Sequence, residues 1–461
     1  MNHLPLALVA SAAALLAPLP ALAQSDAEIA AARDAALTGD RVAWDIAEGL
    51  TTEVGPRMAG TEAEARARAW AKARLDQLGF SNVRIEPYMM KTWVRGVETA
   101  EIVSPFPQKM MVAALGNSSS TGPGGITAAI AYFPTFADLV AAPAGSLDGK
   151  IAYLSHDMHP TQDGSGYSFA GPVRWVGAGI AASKGAIATV IKSVGTDRHR
   201  NPHAGGTTFR DGVEPTPAGA LSIPDAENLE RMLARGKPVK MHLTLTPKWL
   251  GQTESGNVIA DLPGSDPAAG MIVIACHLDS WDLGTGAIDD ASGCGIITAA
   301  AKQVMAAGGT RRTIRLLWAG AEEVGVFGGA AYAEAHGEDK HVLAMESDFG
   351  ADRVWKVDFN LADGALKDRI AQALAPLGIS RGTDRAGGGA DVGAIIAAQD
   401  LAVIDLAQDG LKYFDLHHTP DDTLDKIDPA QLRQNVAAWT ATLMILGNAP
   451  GELAPQPAKA E

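Results

Sequence analysis

Met271-Ile272-Val273-Ile274-Ala275-Cys276-His277-Leu278-Asp279-Ser280-Trp281-Asp282 reads as an apolar strand that ends on an imidazole and runs into a polar loop. Gly286-Ala287-Ile288-Asp289-Asp290-Ala291-Ser292-Gly293 follows, and an apolar helix is predicted over 291–307. A short β-branched run followed by a long helical pattern is half of a βαβ unit. In sheets built from such units, ligands collect beyond the carboxyl ends of the strands, which is where His277 falls.

Outward from this stretch the alternation continues. Strands are expected at 313–319, 343–346 and 401–404, and helices at 328–335, 365–375 and 429–446. Upstream, helices are expected at 26–36, 42–50 and 62–78, the last closed by Gly79, and a strand at 81–88. From 107 to 250 the character changes to short β-like runs (125–132, 150–154, 239–245) broken by Gly, Pro and Ser, with a helix at 173–185 leading into a strand at 186–191. The fold class that follows is α/β, with a mixed, mostly parallel sheet sandwiched by helices and an inserted β-rich domain. The catalytic-type domain is split into 24–106 and 251–447, and the Ala- and Pro-rich tail, 448–461, is expected to be disordered.

A chain of 461 residues is long for one core. Its 38 Lys and Arg against 53 Asp and Glu give a net charge of −15, which argues against a nucleic-acid or anionic-membrane partner. The apolar run 4–22 ends in Ala21-Leu22-Ala23 before Gln24, a small-x-small cleavage pattern, so 1–23 reads as a secretion signal and the protein as periplasmic or secreted. No later segment is long and apolar enough to span a bilayer, so no membrane association is expected once the signal is removed. Cys276 and Cys294 are the only cysteines; no disulfide framework is expected, and both read as small buried hydrophobes.

Three later pieces complete the chemistry begun at His277: Glu322-Glu323 after one predicted strand, Asp348 after another, and His417-His418 before Thr419. Two imidazoles, several carboxylates and a spare glutamate form the inventory of a two-metal hydrolase. Asp279 is placed to support His277. Of the adjacent pair, Asp290 caps the helix and Asp289 bridges two metals, because a dication offsets the repulsion between neighbouring carboxylates. Consecutive residues point different ways, so one of Glu322 and Glu323 can ligate while the other faces substrate as general base. His417 and His418 are not separated by their chemistry, and Asp421 and Asp422 are candidate acceptors for the imidazole. His156-Asp157-Met158-His159 reads as a polar loop, as do His199 and His203. Gly387-Gly388-Gly389-Ala390-Asp391 reads as a substrate-side loop with Asp391 at its tip. There is no His-Glu-x-x-His and no phosphate loop.

Together with Gly55-Pro56-Arg57-Met58-Ala59-Gly60-Thr61 and the run from Tyr413-Phe414 to Thr423, these motifs resemble the carboxypeptidase Q group of co-catalytic zinc peptidases. The segment around Lys184-Gly185-Ala186 resembles the protease-associated domain that those enzymes carry as an insertion. The resemblance implies two zinc ions per chain, one held by His277, Asp289 and Asp348 and the other by Asp289, Glu323 and His418. It implies Glu322 as the base, and it selects His418 over His417. Tyr413 and His417 are then substrate-side, as Asp391 is read to be, and a homodimer is implied. The function expected is an exopeptidase acting on dipeptides or short peptides. A strict aminopeptidase is the alternative within enzymes, and a binding module that has lost its chemistry is the alternative outside them; the intact Glu322 argues against the latter.

Overall fold

The structure, a computed structural model, describes residues 24–457; residues 1–23, where the secretion signal is expected, and residues 458–461 lie outside the described residues. Two eight-stranded sheets organise the chain. In the first, the strands lie in the order Ser81–Val94, Lys248–Leu262, Thr313–Ala319, Met271–His277, His341–Glu346, Ala402–Gln408, Val354–Asn360 and Ser380–Arg381. Its four central strands pair in parallel, and antiparallel strands flank them. Central strands are covered on both faces, so they read as continuous apolar runs. From Ile272 to His277 every residue is buried.

The helices follow from local chemistry. Helix Asp26–Gly39 opens with a capping box between Ser25 and Glu28. Helix Glu62–Leu78 starts at a Thr61 cap and stops at Gly79, whose φ of 85° costs a glycine little. Helices Ser292–Ala306 and Pro429–Asn448 are buried along most of their length and pack on each other. None of the described helices is long and apolar enough to cross a membrane.

The second sheet runs in the order Gln108–Met110, Glu98–Ser104, Lys240–Leu245, Ile126–Phe133, Ile151–Leu154, Ala188–Lys192, Ala218–Leu221 and Val112–Ala114. It starts at Glu98 and not at 107. Strand Ser81–Val94 likewise runs past the expected end at 88, paired with Lys248–Leu262 as far as Val94 and Lys248. This ribbon carries the chain from one sheet into the other and back.

Three further readings are corrected. Cys276 and Cys294 are joined by a disulfide, because the βα turn brings the end of the strand and the first turn of the helix to a Cα separation of 5.1 Å. Strand Val354–Asn360 and helix Ala390–Gln399 were not anticipated. The tail expected to be disordered is tied down as far as it is described: Arg312 donates to the carbonyls of Ala449 and Gly451, and Ala362 N–H to Ala454.

Candidate metal centre and active-site cleft

His277, the last residue of its strand, is fully buried. Its Nδ1 lies 3.0 Å from the backbone carbonyl of Asp279. A carbonyl only accepts, so Nδ1 donates to it and Nε2 is left facing the carboxylates of Asp289 and Asp348 in the cleft. Asp279 therefore supports His277 through its main chain; its carboxylate Oδ1 instead accepts the backbone N–H of Glu322 at 3.0 Å.

Asp289 stands between the two imidazoles. Its Oδ1 is 3.0 Å from His277 Nε2, and its Oδ2 is 3.1 Å from His418 Nε2. Asp348 Oδ1 lies 3.4 Å from His277 Nε2, and Glu323 Oε2 2.9 Å from His418 Nε2. Buried Asp289 Oδ2 has no hydrogen-bond partner despite its closeness to the imidazole, so the two groups face a common point without bonding each other. Five side chains from four separate chain segments thus aim nitrogen and oxygen atoms at one place, an arrangement suited to divalent metal. Burial alone would lower the pKa of His418, but Glu323 and Asp289 raise it to about 9; burial and Asp289 raise Glu323 to about 7. Crowded like charges of this kind are what a bound cation relieves.

Asp290 is within reach of His277 and Asp348 as well. Its oxygens, however, already accept the backbone N–H groups of His277 and Gly293, which is the helix-start role read from the sequence. Asp422 does not support His418: it is buried and accepts the N–H groups of Ile288 and Asp289, holding the Asp289 turn from behind. Asp421 pairs with His199 and Asn201. Arg57, from the Gly-Pro-Arg motif, is fully buried and donates to the carbonyls of Leu278, Thr285 and Gly286, clamping the loop between His277 and Asp289. Ala321 and His418 both have left-handed backbone, at φ 56° and 59°. Each costs about 1–3 kcal/mol, held by the surrounding packing where Glu322 and His418 are aimed.

Glu322 differs from its neighbour. Among the described residues its carboxylate makes no hydrogen bond and no ion pair, and it lines the cleft with Asp289, Glu323 and Asp348. Burial, with Asp348 and Glu323 nearby, raises its pKa well above the usual carboxylate range. The pair is thus half-buried cleft wall and not a solvated surface.

Of the substrate-side residues, Tyr413 and His417 line the cleft. Tyr413 donates to Asp289 Oδ1 at 3.2 Å, so it orients a candidate ligand, and its ring stacks on His417. Asp391 is corrected. It lies in the first turn of helix Ala390–Gln399 and is fully buried, so it is not a loop tip. Glu346 holds that turn by accepting the N–H groups of Ala390, Asp391 and Val392.

The sequence did not reveal the cleft's far wall, which comes from the second-sheet region. Tyr167 stacks on Phe414 with ring centroids 4.0 Å apart. Buried His203, read as part of a polar loop, stacks on His418, and Arg174 reaches His418 from the same side. The cleft holds about 480 Å³. Asp348 and Phe349 separate it from a second cavity of about 390 Å³, lined by Asp163, Glu346, Asp358 and Asp405 among others.

Comparison with known proteins identifies the family. The model of peptidase family M28 matches residues 257–443. Carboxypeptidase Q of Mus musculus is 33% identical over 404 residues, 87% of this chain and 84% of that protein; the Homo sapiens carboxypeptidase Q is 31% identical with the same coverage. The crystal structure of a peptidase M28 precursor from Shewanella amazonensis superposes with a TM-score of 0.89 at 44% identity, covering 94% of this chain and all of that one. A zinc aminopeptidase from Bacillus subtilis shares the fold at a TM-score of 0.64 and 18% identity, over 88% of this chain and 95% of its own. With relatives at 31–33% identity over most of its length, and a solved peptidase M28 precursor that shares its fold at 44% identity, the chain belongs to peptidase family M28.

Proposed function

We propose that this protein is an exported di-zinc exopeptidase that cleaves dipeptides or short peptides. The observation that carries this reading is the position of Asp289, with one oxygen on each imidazole and Asp348 and Glu323 flanking on either side. Two ligands about 2.0–2.2 Å from a tetrahedral ion stand about 3.3 Å apart, close to the separations seen here. His277, Asp289 and Asp348 would hold one zinc, and Asp289, Glu323 and His418 the other. Bound there, the ions would supply Lewis acidity, acidifying a water and polarising the scissile carbonyl.

The chain's own groups do the rest. Glu322, whose carboxylate has no partner among the described residues, takes the proton from the attacking water and delivers it to the leaving amine. Asp279 fixes the loop on which Glu322 sits, and Tyr413 fixes Asp289. Trp281 N–H, 3.3 Å from Glu323 Oε1, holds the other glutamate turned away toward His418. Tyr167, Phe414 and Phe349 give the cleft an aromatic wall that shields the reacting groups from water. Export is supported by the signal-like segment 1–23 and by the Cys276–Cys294 disulfide, which persists in oxidising compartments.

The test is elemental analysis of the purified protein alongside a dipeptide panel. About two zinc per chain, and turnover lost on chelation and restored by zinc, is expected. One ion per fully active chain, or turnover unaffected by chelation, would refute the reading.

A further inference from the structure

The neighbouring strands Ile151–Leu154, Ala188–Lys192 and Ala218–Leu221 of the second sheet run parallel. Ligands collect beyond the carboxyl ends of such strands. A cavity of about 720 Å³ lies there, against about 480 Å³ for the catalytic cleft, with which it shares no lining residue. Its walls are the segments that leave the first two strands and helix Ile223–Leu233, which follows the third. Ala226, Leu229 and Met232 bury one face of that helix, while Ile223, Glu227, Glu230 and Arg231, at i, i+4, i+7 and i+8, share the face turned to the cavity. Most of the charge on these walls is already committed. Arg198 pairs with Glu227 and Lys192 with Asp157, each at 2.6 Å. Oε1 of Glu230 accepts from Tyr153 and Ser155, at 2.9 and 2.6 Å, and faces Lys192 at 3.7 Å. Three groups are left over. Oε2 of Glu230 bonds nothing among the described residues. Arg231 makes no ion pair among them, and its hydrogen bond to Asn228 is long, at 3.4 Å. Both ring nitrogens of His156 are buried without a partner, and burial lowers its pKa, so the neutral ring holds one donor and one acceptor unused. Buried polar atoms left unpaired in this way are costly unless a ligand meets them.

We propose that this cavity binds a small α-amino zwitterion, a free amino acid or a dipeptide, and that its occupancy is felt at the candidate metal centre. The planar fork of Arg231 matches a carboxylate in two parallel hydrogen bonds. The open oxygen of Glu230, on the adjacent residue, takes the ammonium, and His156 supplies a further hydrogen bond. One open cation beside one open anion selects against ligands that carry a single charge. The volume is that of a small-molecule site. The link to the centre is the loop from 193 to 203. Gly195 and Thr196 line the cavity, and Thr196 Oγ1 and the Asp197 N–H donate to Asp415 at 2.7 and 3.1 Å. Asp415 lies in the short helix Tyr413–Leu416, which leads into His417 and His418. At the start of the same loop Ser193, also in the cavity wall, accepts the N–H of His203 at 2.8 Å, and the His203 ring stacks on His418. Free amino acids are the products of the exopeptidase reading given above, but the binding site itself stands without that reading.

The experiment is isothermal titration of the zinc-loaded protein with a panel of free L-amino acids, and of its Glu322→Gln variant with dipeptides, so that binding is read without turnover. The zwitterion should occupy a site that Arg231→Ala weakens by about ten- to hundred-fold, the worth of a charged hydrogen-bonded pair. The N-acetylated acid and the amino-acid amide, each lacking one charge, should bind there more weakly by a similar factor. Ala234→Trp, which fills the cavity from an exposed position on its wall, should abolish this binding. In hydrolysis, added amino acid should have a non-competitive effect of roughly five-fold or more, the size of ordinary coupling between sites. That effect should vanish in Arg231→Ala, whose rate without added amino acid should equal that of wild type. Binding of amino acids only, or of dipeptides only, identifies the source and supports the site in either case. Titrations that coincide in wild type, Arg231→Ala and Ala234→Trp confine binding to the catalytic cleft and overturn the proposal. Singly charged analogues that bind as tightly as the zwitterion overturn it too, and a purely competitive effect overturns the coupling to the centre. If Arg231→Ala does not fold, Ala234→Trp decides by the same comparison. Intact binding in a protein that hydrolyses no dipeptide would sink the exopeptidase reading and leave the binding site standing.

Discussion

Asp279 Oδ1 accepts the backbone N–H of Glu322 at 3.0 Å, so the loop that leaves the His277 strand fixes the one that leaves the neighbouring strand. The bond holds Glu322 in the cleft with its carboxylate uncommitted, while Glu323, next in the chain, turns to His418.

That division predicts two different outcomes from two identical chemical changes. Glu322→Gln keeps the shape and removes the base, so turnover should fall by roughly a hundred- to ten-thousand-fold at unchanged zinc content. Glu323→Gln should lose zinc and activity together. Peptide hydrolysis measured beside metal content checks both, and a Glu322→Gln enzyme that has lost its zinc would reverse the assignment.

Asp289 faces both imidazoles, so its removal should be worse than that of any other ligand. Asp289→Ala is expected to bind close to no zinc, whereas Asp348→Ala should retain some at the His418 side. Equal retention by the two variants, read by elemental analysis, would contradict a bridging Asp289.

The disulfide closes a loop between positions 18 apart. By the chain-entropy argument a loop of this size contributes about 3 kcal/mol of stability. The purified protein should show no thiol reactive toward an alkylating reagent in urea until it is reduced, and Cys294→Ser should lower the unfolding free energy by about that amount. Two free thiols in the unreduced, unfolded chain would be decisive against the bond.

Glu64 gives a pH dependence. It is fully buried, bonded to Ser255 and beside Arg68, and burial raises its pKa to about 7 from an ordinary 4.5. The folded state holds this proton more tightly than the unfolded chain, so the stabilisation is complete below pH 4.5 and is lost as pH rises to about 7. The difference is on the order of 3 kcal/mol. Glu64→Gln cannot ionise, so its stability relative to wild type should rise across that window. Urea midpoints at intervals from pH 4.5 to 8 test this, and parallel curves for the two proteins would exclude it.

The sequence by itself determined the sheet's parallel centre and the candidate centre on its rim. An apolar run that ends on His277, another shortly before Glu322-Glu323 and a third just before Asp348 place those groups at strand ends, because strand geometry makes the side-chain position a local matter. Only the family resemblance, and not the chemistry of the pair, selected His418 over His417. The tertiary structure alone decided which atom of Asp279 supports His277, that Asp422 braces Asp289 and not His418, and that Asp391 is buried behind the cleft. It alone joined Cys276 to Cys294 and brought Arg174, Tyr167 and His203 to the site. Arg174 and His418 are 244 residues apart, and their meeting depends on how the second-sheet region docks over the strand ends. Periodicity and turn chemistry report only on neighbours a few residues away, so a wall built by docking leaves no mark in the sequence.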